Sequence, residues 1–205
     1  NLNPDTNLAA WLDFKIMAGH LWNEYSDPEG LLSTLPAIVE TIIGMLAGQW
    51  IRTRRDDYQK VTGLMLSGAL LTFAGLAWDI YFPINKNLWT SSYVLYTGGL
   101  GLMVFGIIYL LADVKKVRWW AKPFAALGAN CLAVYIASRM ASSSLYTIHL
   151  SENVGNISLH EYLFNNLFLS WLNPVNASLA WAVSLILLWL IPMLVLYRKR
   201  IFIKI

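Results

Sequence analysis

Long apolar runs alternate with short polar joints along this chain. Five stretches, 31–51, 60–80, 88–112, 123–143 and 177–197, each hold about 20 mostly apolar residues with few charges. At about 1.5 Å per residue, such a run crosses the roughly 30 Å hydrocarbon layer of a bilayer. The pattern therefore predicts an all-α fold, a polytopic transmembrane helical bundle of five spanning helices with short interfacial helices. Residues 1–29 stand apart. Asn3-Pro4-Asp5-Thr6-Asn7 is turn and cap chemistry. The apolar residues at 8, 11, 12 and 16 then predict a helix too short to span, lying at the interface or packed on the bundle. The joint at 144–175 is long enough to need structure of its own, and a short helix is predicted within 158–172. Asp27 and Glu29 suit the N-terminus of the first span, and Pro123 the first turn of the fourth. Pro192 should kink the fifth. The domain reading is a segment 1–29 followed by a bundle 30–205.

Composition sharpens this picture. Of the 205 residues 57% are hydrophobic and 13% charged, whereas a soluble domain carries about 25% charge. The bilayer is therefore an expected partner. The single cysteine, Cys131, excludes an internal disulfide and a cysteine-rich metal site, and its apolar neighbours suggest a small packing residue. The chain opens on Asn1 and reads as a processed chain or a fragment.

Charge then orients the spans. Twelve of the fifteen lysines and arginines fall in the joints around 52–60 and 115–122 and in the tail 198–204. Lys15, Lys86 and Arg139 make up the rest. This asymmetry places the C-terminus in the cytoplasm and puts 1–29, the Asn85 joint and the 144–175 loop on the outer side. It also removes any need for a nucleic-acid partner, because basic margins are normal for cytoplasmic helix ends.

Several polar residues depart from the apolar pattern. Glu40 sits mid-span, where a carboxylate needs a partner or an aqueous path. Either a site role or a structural hydrogen bond to a neighbouring helix, with Asn130 or Arg139 as partner, fits it. Asn130 and Ser138, eight apart, and Tyr135 and Arg139, four apart, put intramembrane polar groups on shared faces of the fourth span. His20, His149 and His160 lack metal-ligand spacing, so no metal is expected. Each could act as a base near neutral pH. The glycine-rich Thr97-Gly98-Gly99-Leu100-Gly101 lies inside a span and points to close helix packing.

The joint Asn85-Lys86-Asn87-Leu88-Trp89 is the most unusual. Amides and an ammonium beside an indole are suited to a sugar, with hydroxyls on the amides and the apolar sugar face on the ring. A turn with an interfacial tryptophan explains the same residues.

Long segments carry a family resemblance. Asp27-Pro28-Glu29-Gly30-Leu31-Leu32-Ser33-Thr34, the run from Pro83 to Tyr93, and the ending from Tyr197 to Ile205 resemble motifs of heparan-α-glucosaminide N-acetyltransferase and its bacterial relatives, within the transmembrane acyltransferases. The likeness covers nearly the whole chain. It implies an enzyme that takes acetyl from cytoplasmic acetyl-CoA and delivers it to the amine of a glucosamine-type acceptor outside, in a bacterial inner membrane. On that reading Asp27, Glu29, Asn85, Lys86, Asn87 and Trp89 meet the acceptor. Lys199, Arg200 and Lys204 meet the phosphates of the acyl donor. The resemblance also implies that the chain matches a C-terminal half, with the catalytic histidine in a missing N-terminal half or partner membrane subunit. Two alternatives remain beside it: a non-catalytic subunit of a larger membrane complex, and a sugar-related membrane transporter.

Overall fold

The computed structural model describes residues 6–24, 27–150 and 157–203. The described residues are overwhelmingly helical and form no strand beyond one isolated antiparallel bridge, His149 to Ser158. Among the described residues four helices are long and apolar enough to cross a membrane, and a bent pair, taken as one span, brings the number to five. Many large apolar side chains on them, Leu35, Phe73 and Leu179 among them, are exposed, as lipid-facing positions are in a membrane bundle. The chain divides into two compact units, Asn1–Val117 and Arg118–Ile205.

The first unit holds α1 (Leu8–Met17), α2 (Leu31–Ile51), α3 (Asp57–Asp79) and α4 (Ser91–Tyr109), with a π-helical turn Leu110–Val114 extending α4. α3 and α4 pack along their length because glycines remove the bulk between them. A Cβ on Gly99 would lie 2.5 Å from the Thr72 nitrogen, and one on Gly75 2.6 Å from the Tyr96 nitrogen. Within the predicted glycine run, Gly99 makes this close approach to α3, whereas a Cβ on Gly101 would meet nothing within 4 Å. At the far end of the pair the Tyr109 hydroxyl donates to Asp57 at 2.8 Å. Ala47, Leu64 and Leu102 form a small core that joins α2, α3 and α4.

α1 inverts a simple expectation. Its apolar side chains Leu8, Trp11 and Ile16 are exposed, while Asn7, Ala10 and Asp13 are buried. Polar and small residues make the packing face, and the apolar face is left for an apolar environment. The reason lies in hydrogen bonding. Asn7 caps α1 by accepting from the Ala10 amide at 2.9 Å. Asp13 accepts from the Leu31 amide at 2.9 Å and so caps α2 from another helix. Gly30 makes this approach possible, since a Cβ there would collide with the Asp13 carboxylate. The acid at the N-terminus of α2 is therefore Asp13 and not the expected Asp27 or Glu29. Asp27 instead closes the preceding turn, accepting from the Glu29 amide at 2.8 Å.

The second unit holds α5 (Ala121–Ala129), α6 (Cys131–Thr147), α7 (Leu159–Phe164) with a π-helical turn Asn165–Leu169, and α8 (Pro174–Arg198). The predicted fourth span is not one helix: α5 and α6 meet at a 79° bend. Asn130 sits at the bend with φ −127° and ψ 35°, outside helical geometry. Its side chain is spent on the C-terminal segment, donating to the Ile201 carbonyl at 3.2 Å and accepting from the Ile203 amide at 2.8 Å. The shared-face reading of Asn130 with Ser138 fails for the same reason, because Asn130 precedes α6 with non-helical φ and ψ and its side chain is turned to the C-terminal segment, while Ser138 lies within the helix. Cys131 opens α6 and is exposed, not packed. α8 begins three residues earlier than predicted, because Asn173 caps it from the Asn176 amide and Pro174 fills its first position. The short helix expected in the long joint is α7, capped by Ser158.

Candidate functional site

Two loop segments and two helix starts enclose a cavity of about 170 Å³ in the first unit. Asn7 and Ala10 of α1 form one wall and Asp27 and Pro28 another; Ser33 of α2 and the joint at Asn85, Asn87 and Leu88 complete it with Trp22 and Asn23. The cavity is smaller than the roughly 300–1,000 Å³ typical of drug-sized sites. One small polar molecule, or the terminal ring of a larger one, suits it.

The joint that carries Asn85 and Asn87 is held from within. Thr90 is buried and caps α4 from the Tyr93 amide. Its hydroxyl donates to the Pro83 carbonyl at 3.0 Å and accepts from the Asn85 amide at 3.0 Å. Asp79 accepts from the Ile84 amide at 2.6 Å. The Asn85 side-chain oxygen accepts from the backbone of Asn87 at 2.9 Å and Leu88 at 3.3 Å, an Asx turn. Asn85 thus shapes the joint with its oxygen and keeps its amide nitrogen for the cavity.

The same division runs around the wall. The Asp27 oxygens accept from the Glu29 and Trp22 amides, and the Ser33 hydroxyl donates to the Gly30 carbonyl at 2.8 Å. Among the described residues no hydrogen bond occupies the side-chain amides of Asn23 and Asn87. Asp27 is the one ionisable group among the described lining residues. The arrangement is rich in amide donors with one carboxylate, chemistry that suits hydroxyls and an amine.

Of the six residues expected at an acceptor, the cavity unites Asp27, Asn85 and Asn87. Glu29 and Lys86 are exposed and do not line it. Trp89 does not line it either. Its backbone takes φ 48°, the left-handed region that non-glycine residues rarely adopt, and its indole N–H donates to Glu40 Oε2 at 3.1 Å. Its ring meets Tyr93 edge-on at 5.5 Å. Trp22, which sequence reasoning left aside, supplies the aromatic wall. Asn7, Asn23 and Ser33 were missed as well. For Ser33 the one available signal was its place in the family-like segment Asp27–Thr34.

Glu40 is hydrogen-bonded, with other partners than Asn130 or Arg139. Besides Trp89, the Thr97 hydroxyl of α4 lies 3.2 Å from Oε1, while also 2.7 Å from the Tyr93 carbonyl. Tyr135 and Arg139 both lie on α6 and are exposed. Of the residues expected at the donor's phosphates, Lys199 closes α8 and Arg200 follows it with φ 57°, both exposed. Two adjacent exposed cations fit an anionic group in chemistry. Lys204 lies outside the described residues. His160 packs against Tyr146 in the second unit and lines a different cavity.

No family model matches the chain. It is 28% identical over 187 residues to mouse (Mus musculus) heparan-alpha-glucosaminide N-acetyltransferase, covering 87% of this chain and 26% of that protein. With the human (Homo sapiens) protein of the same name it is 29% identical over 189 residues, covering 87% of this chain and 25% of that protein. The chain thus spans about a quarter of the length of the curated relatives it matches. With a helical, membrane-spanning architecture and similarity along most of its length, the chain is a distant relative of the heparan-α-glucosaminide N-acetyltransferases.

Proposed function

We propose that this chain forms the acceptor-binding part of a membrane N-acetyltransferase. The carrying observation is the cavity that gathers Asp27, Asn23, Asn85, Asn87 and Trp22. In this reading the amides of Asn23, Asn85 and Asn87 hydrogen-bond the hydroxyls of an amino sugar of the glucosamine type. The apolar sugar face lies on Trp22, and the Asp27 carboxylate draws the amine. The donor is acetyl-CoA, with Lys199, Arg200 and Lys204 as the cations for its phosphates.

The reaction forms one bond and breaks one. The amine nitrogen of the acceptor attacks the thioester carbonyl, the C–S bond breaks, and the nitrogen's proton passes to a base while the thiolate leaves. The cavity's described lining contains no histidine. In this reading its residues bind and orient, and the base is the histidine that the family resemblance places outside this stretch. The charge asymmetry supports an outer-side acceptor and a cytoplasmic donor, in an inner-membrane setting.

The test is transfer of labelled acetyl from acetyl-CoA to glucosamine by the full-length protein in membranes. Transfer that weakens when Asn87 or Asp27 is replaced supports the reading. Acceptor binding with no transfer would instead match a non-catalytic subunit. Glucosamine movement across vesicles without acetylation would match a transporter.

A further inference from the structure

The second unit carries a separate cavity of about 480 Å³ between α6, α7 and α8. One side is apolar and elongated. Trp181, Leu185, Leu188 and Trp189 line it along α8, a stretch of about 12 Å at helical rise. The facing side is mixed: α6 contributes Val134, Ala141 and Leu145, and among them the polar Ser138, Arg139, Ser142 and Tyr146. At its end the Tyr146 hydroxyl lies 3.2 Å from His160 Nε2, and the His160 ring stacks on Tyr146 at 4.3 Å and meets Trp181 edge-on at 5.1 Å. Among the described residues Arg139 has no ion pair. A guanidinium on a membrane helix is costly without an anion.

From the apolar length and the unpaired cation together we propose that this groove binds one anionic phospholipid. Its phosphodiester sits on Arg139 with a hydroxyl donor from Ser142, one turn along α6, and an acyl chain lies along α8 between Trp181 and Trp189. An inorganic phosphate would use the cation and leave the apolar wall unfilled. A zwitterionic lipid would use the wall and bring a compensating positive charge to Arg139.

The full-length protein in non-ionic detergent is titrated with phosphatidylglycerol or with phosphatidylcholine of the same chains, and retained lipid is counted by native mass spectrometry. One phosphatidylglycerol is retained per chain at concentrations where phosphatidylcholine is not, and inorganic phosphate does not displace it. Arg139→Gln lowers retention by about tenfold, the loss of one charged hydrogen-bond partner. Arg139→Lys keeps most of it. Leu185→Trp, which keeps the charge and fills the groove, also lowers it, so the proposal remains testable if the arginine variant misfolds. Arg54→Gln, in the other unit, changes nothing. Equal retention of the two lipids overturns the proposal. So does unchanged retention in both Arg139→Gln and Leu185→Trp with helical content preserved, the result expected if a protein segment fills the groove instead.

Discussion

The indole N–H of Trp89 donates to the Glu40 carboxylate at 3.1 Å, although 49 positions separate the two in sequence. This bond carries the joint at Asn85–Trp89 onto the first spanning helix. It accounts for two outliers at once, a carboxylate inside a span and a bulky residue with positive φ. Glu40→Ala would leave the indole N–H unpaired and cost about 1–3 kcal/mol. Glu40→Gln keeps an acceptor and should cost less. Thermal unfolding in detergent reads both, and a Glu40→Ala, Trp89→Phe double-mutant cycle should show the two losses to be non-additive. Additive losses would mean the pair does not act together.

Asp13 and Gly30 form a second joint, between α1 and α2. Gly30 has φ −68°, which any residue adopts, so Gly30→Ala should be harmful only because its methyl meets the Asp13 carboxylate. Asp13→Ala should cost about 1 kcal/mol through loss of the helix cap. The informative variant is the double one: with Asp13→Ala in place, Gly30→Ala should cost much less than alone. Protease resistance of the N-terminal segment would follow the same order.

Gly99→Val should destabilise the first unit by about 1–3 kcal/mol through overpacking against Thr72 and the Gly68 carbonyl. Gly101, with nothing within 4 Å of a built Cβ, should accept alanine nearly without effect. Unfolding midpoints of the two variants compared side by side check the contrast.

The break at Asn130 makes its own prediction. Asn130→Ala removes the only side chain holding the Ile201 carbonyl and Ile203 amide among the described hydrogen bonds. Hydrogen exchange at Ile203 should then speed up well beyond that of α8's interior. Unchanged exchange would mean that the C-terminal segment is held by other contacts.

The spans were readable in the sequence because an apolar run of membrane length has few other solutions. The exceptions are contacts between distant positions. Nothing local to Ala129-Asn130-Cys131 marks a bend, since Asn130's partners lie 71 and 73 positions away. Trp89 reads as a sugar platform beside its amides, but its ring follows Glu40. Trp22 and Asn23 reach the cavity in a segment whose neighbouring helix is seated by Asp13, and Asp13 looks like an ordinary surface acid. The joint at Asn85 was visible because its polarity is out of place between two spans. Its oxygen proves to be structural, so Asn85→Ala would disturb the turn as well as any ligand, and Asn87 is the cleaner probe.

That distinction selects the decisive measurement. Acetyl transfer to glucosamine by the full-length protein is compared between wild type and Asn87→Ala, with Asp27→Asn as a second variant, at varied acceptor and varied acetyl-CoA. Loss of one polar contact should raise the KM for glucosamine by about tenfold and leave the KM for acetyl-CoA unchanged. Wild-type kinetics toward glucosamine in both variants would contradict an acceptor site in this cavity.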